Sequence, residues 1–148
     1  MSLPNEPDFA LIKLRTATGP DVYTLLCGIE SVTINESVAT SERFRRDCAK
    51  PNLPGQRKLK ATGRTWEISG SGVINVDLED ELSTNLGVIE AYQVELYKDD
   101  GSDTGDLMGT YAGTAMMTTR NQSMTTDGDS SLEITLAGEG LLVWTAAT

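Results

Sequence analysis

Short runs in which apolar and polar residues alternate dominate this chain, and they predict strands far more than helices. Residues 9–15 (FALIKLR) make a first strand, and the Thr-Gly-Pro-Asp run at 18–21 reads as a turn. Val22 to Cys27 is short and apolar, which predicts a buried strand with Cys27 inside it. Gly28 breaks that strand, and Ser31-Val32-Thr33-Ile34-Asn35 alternates as a half-buried strand does. From Leu59 to Val76 the alternation returns, with Trp66, Ile68, Gly70 and Gly72 on one parity and Thr65, Glu67 and Ser69 on the other. Asp77 opens the one convincing helix, of about nine or ten residues. Asp77 serves as N-cap, acids fill the first turn, Leu78, Leu82 and Leu86 share a face, and Gly87 terminates it. Tyr92, Val94 and Leu96 mark the next strand, Leu107 to Thr119 another, and Leu132, Ile134 and Leu136 a third. Asp127-Gly128 signals a hairpin, and Gly138-Glu139-Gly140 reads as a turn into a last strand, Leu141 to Trp144. Seven or eight strands and one helix predict a mainly β fold, a β-sandwich or open barrel with one flanking α-helix, over a single domain spanning 1–148.

One segment has no clean period. Ser37 to Lys58 carries Pro51, Pro54 and Gly55 and reads as a long loop, and structureless loops of about twenty residues are uncommon unless functional. Its charge makes it stand out further. The chain holds 22 acids, 12 bases and no histidine, for a net charge of -10. Eight of the twelve bases nevertheless fall between Arg43 and Arg64, beside a single acid, Asp47, while residues 65–148 hold fifteen acids and two bases. Segregation of this kind bears on association rather than on fold.

The chemistry of catalysis is poorly represented. Without histidine the chain lacks the commonest general base, the Ser–His triad and the usual catalytic zinc sites. The adjacent carboxylates Asp99/Asp100 and Glu79/Asp80/Glu81 fall in a turn and at a helix start, with no reason to form a buried acid–base pair. The acidic run from Asp99 to Asp106 lacks the ligand order of a calcium loop, so a hairpin turn is expected there. Ser69-Gly70-Ser71-Gly72 lacks the Lys and the strand-to-helix setting of a phosphate loop, which leaves a bulge or a close backbone approach. Cys27 and Cys48 have neither disulfide-framework nor metal-site spacing. No enzyme, metal or cofactor is expected. The acidic, proline-bearing start and the lack of any long apolar run predict a protein that accumulates in a cytoplasm.

Three stretches carry a family resemblance: Cys27-Gly28-Ile29-Glu30-Ser31-Val32-Thr33-Ile34-Asn35, then Arg45-Arg46-Asp47-Cys48-Ala49-Lys50-Pro51, then the run from Lys58 to Gly72. Together, and in the order of elements around them, they resemble the tail tube (major tail) protein of long-tailed bacteriophages. The resemblance implies a β-sandwich flanked by a helix and copies closing into six-membered rings. Rings would stack into a tube around a tape-measure protein, with a tail terminator and a distal tail protein at its ends. DNA would pass through the tube unbound, and no membrane is involved. The type VI secretion tube and gene transfer agents share this subunit type and stay open as alternatives.

The residues suit such a role on their own terms. Head-to-tail stacking joins two different patches and propagates into filaments. A basic loop and an acidic body supply complementary patches, so Arg43, Arg45, Arg46, Lys50, Arg57 and Lys58 are the expected interface residues. Acidic strand positions Glu67, Glu95 and Glu133 are expected to face the lumen, where lack of bases would keep phosphates from sticking. Two rival readings are a nucleic-acid-binding module using the basic cluster and a non-catalytic β-sandwich binding module. The first is disfavoured by the acidic body and by the lack of interleaved aromatics beyond Phe44. The second is disfavoured by the lack of disulfides and of a signal peptide.

Overall fold

The computed structural model describes residues 2–148. Seven strands form one antiparallel sheet: β1 (Phe9–Ala17), β2 (Val22–Leu25), β3 (Ile29–Arg45), β4 (Gln56–Gly72), β5 (Ile89–Lys98), β6 (Asp106–Ser123) and β7 (Ser131–Ala146). Their order across the sheet is β2-β1-β5-β6-β7-β4-β3. The sheet curls until its two halves face each other, so that a Cβ placed on Gly70 of β4 would touch Ile12 of β1 at 3.0 Å. Besides Ile12 and Leu14 of β1, the core between them is built from the alternating positions read in the sequence: Trp66 and Ile68, Tyr92 and Val94, Leu132, Ile134 and Leu136. Side chains on an antiparallel strand alternate between faces, which is why parity alone located these residues.

Close approach explains the glycines of β4. A methyl on Gly72 would collide with the carbonyl of Gly28, the same oxygen that accepts a hydrogen bond from Val73 N at 2.9 Å. The Ser-Gly-Ser-Gly run is therefore strand backbone pressed against a neighbour.

Between β4 and β5 lie a 3-10 turn, Val76–Leu78, and a seven-residue helix α1, Glu79–Asn85. The cap is Asn75, whose Oδ1 accepts from Asp77 N at 3.1 Å. The expected N-cap, Asp77, sits inside the turn instead, and Leu86 ends the helix with an extended backbone. Only Leu82 of the expected leucine face is buried outright. The helix is held to β6 by Glu79, whose carboxylate accepts from Arg120 Nη2 at 3.0 Å and Gln122 Nε2 at 3.2 Å. Hydrogen bonds from Gln122 and Ser83, then the Arg120 charge, hold the Glu79 carboxyl below its ordinary 4.5. A depressed folded-state pKa stabilises above the unfolded value and is lost as pH falls through the folded one. Amide exchange in α1 is thus expected to accelerate relative to β4 as pH falls below the ordinary carboxylate value of 4.5, and Glu79→Gln to flatten that dependence.

Two further departures from the sequence reading concern chain ends of elements. Cys27 is exposed, because β2 stops at Leu25 and the chain turns through Leu26 and Gly28 before β3. Residues 138–140 do not end a strand; β7 runs on through them with a kink at Gly140, whose φ of 73° opens a new direction.

Candidate assembly surfaces

The segment read as a loop over 37–58 is a strand pair for most of its length. β3 and β4 stay paired from Val32↔Gly70 out to Arg45↔Gln56, with one register shift between Ala39 and Thr40, so the true turn spans only residues 46–55. β7 accompanies β4 no further than Glu67, leaving the distal hairpin as a two-stranded arm. Every residue from Asn35 to Thr65 is exposed. With no buried face there is no selection for alternating hydrophobicity, which is why the period vanished there although the strands continue.

This arm carries all six basic residues singled out above. Arg43 stands directly opposite Lys58, and Phe44 opposite Arg57. Arg45 ends β3, while Arg46 and Lys50 lie in the turn, where Asp47 Oδ1 accepts from Ala49 N at 2.9 Å. One loose ion pair, Arg57 to Glu42 at 3.7 Å, relieves the cluster. Like charges opposed across a ladder destabilise it, and two-stranded hairpins are marginal in water.

A second surface is polar. The outward face of β3, β4, β7 and the end of β6 presents Ser31, Thr33, Ser69, Ser71, Thr119, Asn121, Glu133 and Thr135 around a shallow groove. Glu67, on the exposed parity of β4, extends this face, which holds no Lys or Arg among those residues. Both of its borders are open. Among the described residues β3 pairs with β4 alone, and β6 beyond Met117 has β7 on one side and no strand on the other.

Glu95 does not belong to this face. It is buried at 9% exposure on β5 and paired with Lys13 Nζ at 2.6 Å, a contact that raises the Lys13 pKa. A glutamate between Val94 and Leu96, on the parity of Gln93, reads as solvent-facing, and only the fold reveals a lysine across the β1–β5 ladder to neutralise it.

The third surface closes the end opposite the arm. There Ile29 pairs Gly72 and Ser123 pairs Ser131, bringing three connections together. Asn75 Nδ2 donates to Cys27 O at 3.1 Å, and Ile74 N donates to Ser130 Oγ at 3.2 Å, stitching the three into one pole. Asp77, Asp127 and Asp129 stand on it, all exposed.

The chain is thus a curled antiparallel sheet with one polar face between two open edges, a cationic arm at one end and Asp77, Asp127 and Asp129 at the other, with no buried site of catalytic groups among the described residues. The chain belongs to the phage tail tube protein family, whose model matches residues 8–144. Solved structures agree. The chain is similar to the tail subunit of an empty GTA particle refined with helical C6 symmetry, at 25% identity over 92% of this chain and 95% of that one, TM-score 0.66. It is similar to a chain of the native gene transfer agent virion at 20% identity, over 98% and 100% of the two chains, TM-score 0.66. The sheath–tube complex of an extracellular contractile injection system shares the fold at 16% identity, over 99% and 93%, TM-score 0.62. No curated protein matches the chain. It is a tail tube subunit, a structural component of a phage-type particle tail. No helix among the described residues is long and apolar enough to cross a membrane.

Proposed function

We propose that this subunit closes rings of six, which stack head to tail into the hollow tube of a phage tail, and that it performs no catalysis. One observation carries this reading: the polar face lies between two free strand edges of opposite direction. β3 runs away from the acidic pole and β6 runs toward it, so Ile29–Asn35 of one copy can add to Met117–Ser123 of the next in the antiparallel sense. Closure removes both edges, the general remedy for unpaired strands. It also turns the serine- and threonine-rich face, with Glu67 and Glu133, toward the centre. The residues of this face supply no cation to neutralise phosphates, and its carboxylates repel them, which suits a conduit through which DNA slides.

Stacking is assigned to the arm. Its arginines and lysines project from one pole, and the next ring in a head-to-tail array presents the acidic one. A tape-measure protein inside, and a terminator and distal tail protein at the ends, complete the assembly. A gene transfer agent tail is the second reading, supported by likeness to two such particles.

The test reverses charge at the arm's tip. Arg45→Glu with Arg46→Glu is expected to leave the melting temperature unchanged, since both residues are exposed, while negative-stain images show rings in place of tubes. Tubes of normal length from this variant would remove the arm's charges from the stacking contact.

A further inference from the structure

The arm is two-sided. Cross-strand partners share a face, so Phe44 and Arg57 lie together with Glu42 and Leu59, and the Glu42–Arg57 ion pair agrees. The opposite face holds Arg43 with Lys58, and Ser41 with Lys60. One side is thus cationic; the other sets Phe44 and Leu59 diagonally adjacent. Phe44 is 63% exposed and Leu59 56%, although the same two strands enter the core further along, at Ile34 and Trp66. An aromatic and a leucine side by side on a projecting hairpin, exposed among the described residues, form half of an apolar contact.

The acidic pole supplies a matching half. Val76 is 78% exposed and Met124 is 74% exposed. They sit on the two connections that the Ile74–Ser130 and Gln122–Glu79 hydrogen bonds hold together. Asp77 follows Val76 directly, and Asp127 and Asp129 follow Met124. Charge selects the occupant: the window 43–64 holds eight bases and one acid, and the rest of the chain holds 21 acids and four bases, so the acidic partner at hand is another copy.

We infer that Phe44 and Leu59 anchor the arm on Val76 and Met124 of the copy in the next ring, with the arm's cations and Asp77, Asp127 and Asp129 forming the rim. This rests on the head-to-tail stacking proposed above. In interfaces of this kind apolar and aromatic residues at the centre carry most of the affinity, while exposed rim charges set orientation and are screened by salt.

Two experiments test it. Phe44→Ser with Leu59→Ser is expected to raise the concentration needed for tube growth about tenfold or more, in low salt and in about 0.5 M salt alike. Under the same conditions Arg45→Glu with Arg46→Glu loses its effect as salt rises. A photo-crosslinking benzoylphenylalanine at position 44 of tube-forming protein should yield intersubunit products mapping to residues 73–77 or 124–129. Serine variants that grow tubes at wild-type concentration would overturn the anchor, as would crosslinks that map elsewhere. Wild-type protein forming no tubes at all would instead overturn the stacking reading, and the anchor with it.

Discussion

Replacing Trp66 by alanine is expected to lower the unfolding free energy by about 3–5 kcal/mol, the range for deleting a large buried aromatic. The indole is buried and lies on two glycines, Gly113 of β6 and Gly138 of β7, at both of which a methyl would overlap it. Glycines have no side chain to swing into the void, so the cavity stays open. Trp66 Nε1 also donates to Gly140 O at 3.1 Å, at the kink where β7 leaves β4. Loss of the ring therefore removes packing and unpins the divergence of the two strands. Urea denaturation measures the free energy, and a thermal scan should show the melting temperature fall by roughly 10 °C. Trp66→Phe, which keeps most of the apolar area without the N–H, is expected to cost about 1–2 kcal/mol. A change below about 1 kcal/mol for the alanine variant would contradict the packing role described for this residue.

Excising the distal arm is expected to abolish tubes while sparing the fold. Val38 and Arg64 are directly opposed, so residues 39–63 can be replaced by an Asn-Gly turn without altering the pairing beneath. None of the removed residues is buried, and the opposed cations Arg43 and Lys58 leave with them. The melting temperature should hold or rise. Rings should persist, because the edges proposed to close them, Ile29–Asn35 and Met117–Ser123, are untouched. Sedimentation and negative-stain microscopy separate the outcomes. Tubes from the excised protein would show that stacking uses the body alone; loss of rings together with tubes would show that the arm takes part in ring closure.

How far the sequence reading reached follows from burial. Where one strand face enters the core, parity alone picked out Trp66 and Ile68, Tyr92 and Val94, and Leu132, Ile134 and Leu136. Where neither face is buried, as from Asn35 to Thr65, no period exists and a strand pair looked like a loop. The basic cluster was visible from charge, yet the side-by-side placement of Phe44 and Leu59 was not. They are fifteen positions apart, and only the register of β3 against β4 makes them neighbours. Glu95 failed for a related reason, since its partner Lys13 lies far away in sequence and next to it in the sheet.

By itself, then, the sequence determined that this is a β-rich, histidine-free chain with its positive charge gathered in one stretch, because composition and period-two burial are local properties. The tertiary structure decided that the stretch is an arm, that Asp77, Asp127 and Asp129 share the opposite pole, and that a polar face lies between two open edges. Those are facts of strand order and register, which long-range pairing sets and no local pattern encodes.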